Sequence, residues 1–282
     1  MPETLRGLDG SRLERSCTRD AITFGSGAPG IERAEVFLTG GFELHRHDTY
    51  AVGVTTSGVQ TFRYRGSRRT CLPGQLHVLH PDELHDGGPA TEEGLGYRIL
   101  YVAPELVSQA LGGAPLPFVA EPVQRPAPEL AALLTDLTEP LGELRAAEIA
   151  ATVADVLAER AGATPARPSQ LDLPALGRVR EYLAAHAREQ IPAARLEQVA
   201  GLDRFAIARS FRRAYGTSPD RYRLLRRLAL ARAALERGEP IARAAADAGF
   251  ADQSHLTRQF KRCYGVTPAR WAQLTAAGRS PR

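Results

Sequence analysis

An internal repeat near the C-terminal end limits what this chain can fold into more than any other feature. Residues 211–219 read FRRAYGTSP and residues 260–268 read FKRCYGVTP, so Phe, two basic residues, Tyr, Gly and Pro recur at an offset of 49 residues. A period of that size marks two copies of one supersecondary unit. The likeness continues upstream, with LEQVAGL at 196–202 and RAAADAGF at 243–250. Each of these reads as an amphipathic helix ended by Gly201 or Gly249. The glycine supplies the positive φ of a tight turn, and Asp203 or Asp252 then caps the next helix. The predicted pattern is helix, short turn, capped helix, twice over.

Within each capped helix an apolar pair four residues apart, Ile207 and Phe211 in the first copy and Leu256 and Phe260 in the second, faces the core. That leaves Arg204, Phe205, Ala208 and Arg209 on the first helix for a groove, and Gln253, Ser254, His255, Thr257 and Arg258 on the second. Gln makes a bidentate contact to adenine and Arg to guanine from the major groove. Arg212, Arg213, Lys261 and Arg262, toward the far end of each helix, are placed for phosphates. One such helix would pass for an ordinary solvated face; two matched copies point to double-stranded DNA. The intervening segment from Pro219 stays helical to Gly238. Its roughly 18 residues span about 27 Å at 1.5 Å each, comparable with the roughly 34 Å between successive major-groove turns.

Charge divides the chain at the same place. Residues 171–282 hold 21 Arg plus Lys against 10 Asp plus Glu, whereas residues 1–170 hold 15 against 22. A basic part joined to an acidic part fits a nucleic-acid-binding domain fused to something else, because phosphate neutralisation needs cations gathered on one body. Lys261 is the only lysine, which explains the choice of Arg but not the asymmetry.

The acidic part has a different rhythm. Segments such as TYAVGVTT (49–56), VQTFRY (59–64) and LGYRILYV (95–102), broken by Gly, Pro and Asp, predict a small antiparallel β domain. Residues 104–111 predict a short helix. Residues 128–160 carry an apolar stripe at helical spacing, interrupted near Pro140, which predicts two helices packed on the β domain and motivates a homodimer. AGATPARPS (161–169) reads as a linker. The expected fold is therefore α+β and multi-domain: an antiparallel β-barrel with packed helices over 1–160, a linker over 161–170 and an all-α domain with two helix-turn-helix units over 171–282. Three scattered cysteines, Cys17, Cys71 and Cys263, support neither a disulfide framework nor a cysteine zinc site. With no signal-peptide core and no membrane-length apolar run, the expectation is a soluble cytoplasmic protein at the bacterial nucleoid.

Residues 173–274 resemble the DNA-binding domain of the AraC/XylS family, most specifically through GFADQSHLTRQFKRCYGVTPARW (249–271). The resemblance puts the family's base-contacting positions on the same nine residues named above. Ala208 departs from the polar residue often found there, which weakens the expected readout by the first helix. The N-terminal part is similar to the cupin-like sensor domain of such regulators. His45-Arg46-His47 with Tyr50 matches the first cupin motif, and Pro73-Gly74-Gln75 leading to His85 matches the second. The resemblance implies a small-molecule effector, with His45, His47, Tyr50 and His85 as effector-binding residues, an activator's role and RNA polymerase as a further candidate partner.

Alternate residues of a strand share a face, so His45 and His47 can both point into a barrel; with His85 they make a candidate divalent-metal set. His77 and His80 sit near one another in sequence, but a pleated strand sends them to opposite faces. The glutamate of the catalytic cupin set is missing: its place after His47 holds Ala51 and Val52. A metal-dependent cupin enzyme and a non-specific architectural DNA-binding protein are the competing classes. The missing glutamate disfavours the first, and Gln253 and His255, suited to base edges, disfavour the second. The expectation is a regulator and not an enzyme.

Overall fold

The computed structural model describes residues 21–162, 171–264 and 266–277, so Cys17 and most of the linker lie outside it. The chain divides into two units. One holds the described residues up to Gly142 together with those from Ile149 to 162; the other holds Glu143–Glu148 and the described residues from Leu171 onward.

The first unit is built from two antiparallel sheets. β1 (Ala21–Phe24), β2 (Ile31–Leu38), β4 (Tyr50–Ser57), β7 (Leu76–Leu79), β9 (Leu95–Val102) and β10 (Val123–Gln124) form a six-stranded sheet in the order β1-β2-β9-β4-β7-β10. β3 (Phe42–His45), β5 (Gln60–Tyr64), β6 (Ser67–Cys71) and β8 (His85–Pro89) form the second, ordered β3-β8-β5-β6. The three segments read from sequence as strands are β4, β5 and β9, shifted by at most a residue. Their alternation sets the inner face. Ala34, Val36 and Leu38 on β2, Tyr97 and Ile99 on β9, Ala51 on β4 and Leu79 on β7 pack with Phe62, Tyr64 and Cys71 of the other sheet.

The opposite face of the larger sheet is also buried at Val52, Leu100 and Val102. The same unit holds α1 (Pro104–Ala110), α2 (Pro128–Leu133) and most of α3 (Glu143–Arg160), with buried Leu130, Leu133, Val153 and Leu157. Arg33 sits among them almost wholly buried. Its guanidinium donates to the carbonyls of Ser26, Asp136, Leu137 and Glu139, which fastens the loop after α2 to β2 and satisfies a charge that would otherwise be unaffordable there. The predicted break near Pro140 is the gap between α2 and α3.

The second unit is helical: α4 (Leu173–Ala185), α5 (Ala193–Ala200), α6 (Arg204–Tyr215), α7 (Pro219–Glu236), α8 (Ile241–Asp247), α9 (Gln253–Tyr264) and α10 (Pro268–Ala277). It has two cores. α4, α5 and α6 enclose Leu176, Val179, Leu183, Leu196, Ile207 and Phe211, joined by Leu144 from the first turn of α3. α7, α8 and α9 enclose Leu228, Ala231, Ala244, Ala245, Leu256 and Phe260, with Trp271 of α10 against them. Glu143 accepts a hydrogen bond from the Ala193 amide at the start of α5, at 2.8 Å.

The duplicated turn forms as its residues require. Gly201 closes α5 at φ 71°, and Gly249 follows α8 at φ 80°. The Asp203 carboxylate accepts from the amides of Phe205 and Ala206, and Asp252 accepts from the His255 amide at 2.6 Å. The second turn is one residue longer, GFAD against GLD.

Candidate DNA interface and effector site

α6 and α9 correspond residue by residue at the offset of 49, so Arg209 aligns with Arg258, Arg212 with Lys261 and Arg213 with Arg262. On α9 the outward stripe is Gln253, Ser254, Arg258, Lys261 and Arg262, all exposed, with Thr257 half-buried beside it. The Thr257 hydroxyl donates to the Gln253 carbonyl at 2.8 Å, which leaves its lone pairs toward solvent. His255 packs edge-on against Phe250, ring centroids 5.3 Å apart, so it braces the turn and does not stand out from the helix. On α6 the outward positions are Ala206, Arg209, Ser210 and Arg213, spaced i, i+3, i+4, i+7.

Four first-copy expectations change. Phe205 and Ala208 are each only 7% exposed and belong to the packed side of α6. At 100° per residue, position 208 falls next to Ile207 and Phe211, so the apolar arc is wider than the pair used to define it. Arg204 is bound by its own domain: its Nε and Nη2 donate to the two carboxylate oxygens of Glu197, at 2.9 and 3.2 Å, and its amide donates to the first of them. The hydrogen bonds from Arg204 hold the Glu197 carboxyl below its usual range. Arg212 is likewise engaged, on Glu148, a buried carboxylate that also accepts from Arg145 at 2.8 Å. Ala206 and Ser210 were missed; their helical spacing with Arg209 and Arg213 is the signal that finds them, because their counterparts in the second copy are His255 and the buried Gln259.

In the β unit, His45 and His85 face one another across β3 and β8, in the row that also holds Tyr64. Ring centroids lie 4.4 Å apart for His45 and His85, 4.8 Å for His47 and His85, and 6.4 Å for His45 and His47; Tyr101 stands 5.4 Å from His47. Each ring is held through Nδ1 by a backbone carbonyl: Glu43 at 2.7 Å, Thr49 at 3.0 Å and Glu83 at 2.8 Å. When Nδ1 carries the proton, each Nε2 presents a lone pair. Burial lowers the pKa of His47, and that of His85 to about 4.

Tyr50 does not join this cluster. It is out of step with inward-facing Ala51, and its hydroxyl donates to the Pro117 carbonyl at 2.9 Å. His80 bonds the Tyr64 hydroxyl through Nδ1 and accepts from the Val119 amide through Nε2, so it fastens a loop to the sheet edge. His77 points inward without His80, consistent with the expectation that they do not pair. Sequence reading passed over His77, Tyr97 and Tyr101 as inward polar side chains, although the strand alternation places all three.

Two family descriptions match the chain, an AraC-like ligand-binding domain over residues 34–158 and a helix-turn-helix domain over residues 196–273. The chain belongs to the AraC family. A relative from Bacillus subtilis strain 168, an uncharacterised helix-turn-helix-type transcriptional regulator called YbfI, is 27% identical over 229 residues, spanning 76% of this chain and 81% of that protein. Among solved structures, a probable AraC family transcriptional regulator from Rhodopseudomonas palustris is 27% identical over 36% of this chain and 97% of its own, with a TM-score of 0.34. ToxT from Vibrio cholerae is 11% identical over 87% of this chain and 98% of its own, with a TM-score of 0.37. This AraC-family chain is thus a transcriptional regulator with a ligand-binding and a DNA-binding domain, and no helix among its described residues is long and apolar enough to cross a membrane.

Proposed function

We propose that this regulator reads its operator chiefly with α9, through Gln253, Ser254, Thr257 and Arg258, and that α6 contributes Arg209 to a second groove contact. Arg213, Lys261 and Arg262 neutralise phosphates. The observation that carries the reading is the pair of equivalent arginines, Arg209 and Arg258, on the outward faces of two helices with the same aspartate cap. A small molecule held between the two sheets, against His45, His47 and His85, alters operator affinity by binding one arrangement of the protein better than another. The protein acts as a homodimer in the bacterial cytoplasm, does no chemistry of its own, and RNA polymerase is its partner at an activated promoter.

The test is binding of the full chain to the intergenic DNA beside its own gene, against a scrambled fragment, across a salt series. A salt-sensitive preference for the native fragment is expected. Equal affinity for both fragments refutes specific readout. Light scattering at micromolar concentration checks the dimer.

A divalent metal is a second reading, favoured by the three Nδ1 anchors, which are the outer bonds that orient metal-ligating imidazoles. Against it, among the described residues no group of three or more His, Cys, Asp or Glu side chains is arranged to hold an ion. The donors suit a metal; their present spacing does not. Metal analysis of the purified protein, followed by titration with zinc chloride, separates the two: stoichiometric metal lost on His85→Ala supports the ion, and none supports the organic effector.

A further inference from the structure

Deeper in the same interior lies a group that neither the fold nor the histidine cluster accounts for. His77 stands on β7 opposite Gly53 of β4 and Val123 of β10, in step with the inward-facing residues. It is 1% exposed, and both of its ring nitrogens are buried with no hydrogen-bond partner. The ring leans across β4: a Cβ built on Gly53 would lie 2.3 Å from its Cε1 and Nε2, so only glycine leaves room for it. Phe62 of the facing sheet and Tyr97 of β9 border it, at centroid distances of 6.3 and 5.7 Å. Tyr50 and Tyr64 commit their hydroxyls to Pro117 and His80, but no hydrogen bond to the hydroxyl of Tyr97 or Tyr101 occurs among the described residues. An imidazole with two unmade hydrogen bonds bears its full desolvation penalty, and an apolar residue of similar size would avoid it.

The charges around this interior define what it can take. Burial drives the pKa of His77 down to about 3, so it is neutral and offers one donor and one acceptor. The nearby cations are committed, Arg65 to Glu83 and Arg69, the cross-strand partner of Phe62, to Glu121. The carboxylates that act on Tyr101, His47 and His85 are Glu32, Asp48 and Asp86, which repel an anion. An ammonium group beside Phe62 and His77 would be buried without a counter-ion.

We propose that the interior lined by Phe62, His77, Tyr97 and Tyr101 binds an uncharged aromatic ligand carrying a hydroxyl or similar hydrogen-bonding group, with His77 as its innermost contact. This rests on the reading of the β unit as the effector domain and names the chemical class of the effector. Aromatic edges hold a ring, and neutral donors and acceptors read its polar substituent.

The experiment uses the full chain labelled with ¹⁵N at histidine, and three probes of matched size at pH 7: benzyl alcohol, benzoate and benzylammonium. Benzyl alcohol is expected to shift the His77 ring signals and raise the melting temperature, with the two charged probes at least tenfold weaker. His77→Leu and His77→Phe are expected to melt several degrees above the wild type and to lose benzyl alcohol binding. Stronger binding of benzoate or benzylammonium at His77 overturns the uncharged class and leaves the effector domain standing. Failure of all three probes to move the His77 signals, or variants that melt below the wild type, overturns the site and marks His77 as a structural group satisfied by buried water. Operator binding by the same samples, measured without probe, keeps either failure separate from failure of the regulator reading.

Discussion

Gly201 and Gly249 occupy the same place in the two copies and adopt the same left-handed backbone, at φ 71° and 80°, yet their surroundings differ. A methyl group at Gly201 would meet nothing within 4 Å. At Gly249 it would lie 2.6 Å from the Arg188 carbonyl oxygen and 3.0 Å from the Arg188 Cα, both backbone atoms that cannot swing aside. Gly201→Ala therefore bears only the left-handed strain of an L residue, about 1 to 2 kcal/mol. Gly249→Ala bears that strain plus an overpacking penalty of about 1 to 3 kcal/mol, or roughly 2 to 5 kcal/mol in all. The single tryptophan gives a local assay, because Trp271 packs on Phe260 and Tyr264 in the core of the second copy. Urea unfolding followed by its fluorescence should show Gly249→Ala with the larger fall in midpoint at an unchanged slope. Equal falls, or a larger one for Gly201→Ala, would refute the argument that backbone contact, and not φ alone, fixes the second glycine.

Arg258→Ala should relax specificity at one base position and weaken operator binding by about 1 to 3 kcal/mol, whereas Lys261→Ala should weaken all sequences about equally and reduce the salt slope by about one. A competition series on single-base operator variants distinguishes them, and equal losses everywhere for both would refute the assignment. Phe205→Ala should destabilise the helical unit by about 3 kcal/mol or more, as loss of a buried aromatic does, and leave base preference unchanged in the fraction that stays folded. Tyr50→Phe should lose about 1 kcal/mol with its hydrogen bond to Pro117 and keep the effector response, which a reporter assay checks. Burial holds the pKa of His77 at about 3 and of His80 at about 4, against 6.5 in the unfolded chain. The folded form therefore keeps its full stability above about pH 6.5 and loses it as pH falls toward 4, because unfolding takes up the protons. Melting curves across that range should show a shallower acid dependence for His77→Leu.

The helical unit was legible because its information is local. A cap, a glycine and a four-residue apolar spacing are each read within one turn, and the repeat supplied them twice. What spacing alone did not reveal was the width of the buried arc on α6, which placed Phe205 and Ala208 inside, or the partner of Arg204, since Glu197 lies seven residues back on another helix. In the β unit the strands were visible from alternation, and so was the approach of His45, His47 and His85. Tyr50 was misplaced because a motif gives proximity in sequence, whereas the pleat decides the face, and Tyr50 is out of step with Ala51. His77 is the reverse case: alternation put it inward, but only the sheet pairing shows that it lies over Gly53 and opposite Phe62.

The two copies share a scaffold and differ in what they offer DNA. In α6 the first-turn arginine is bound by Glu197, the next residue is a buried phenylalanine, and Arg212 is engaged by Glu148. The equivalent residues of α9 are Gln253, Ser254 and Lys261, all exposed. Each difference engages or replaces a polar side chain in the first copy, where the second copy presents an exposed one. The capping aspartate is the same in both, and the core pair that sets each helix's position stands at equivalent places, Ile207 and Phe211 against Leu256 and Phe260. If position is common and presentation is not, exchanging the two engaged arginines of α6 for their α9 counterparts should move base discrimination while the packed side of α6, Phe205 included, stays intact. Arg204→Gln with Arg212→Lys is the chain to make. Selection from random DNA should then return a second specified groove contact about one helical turn from the first; an unchanged motif from a folded protein would mean that α6 does not enter the groove at all.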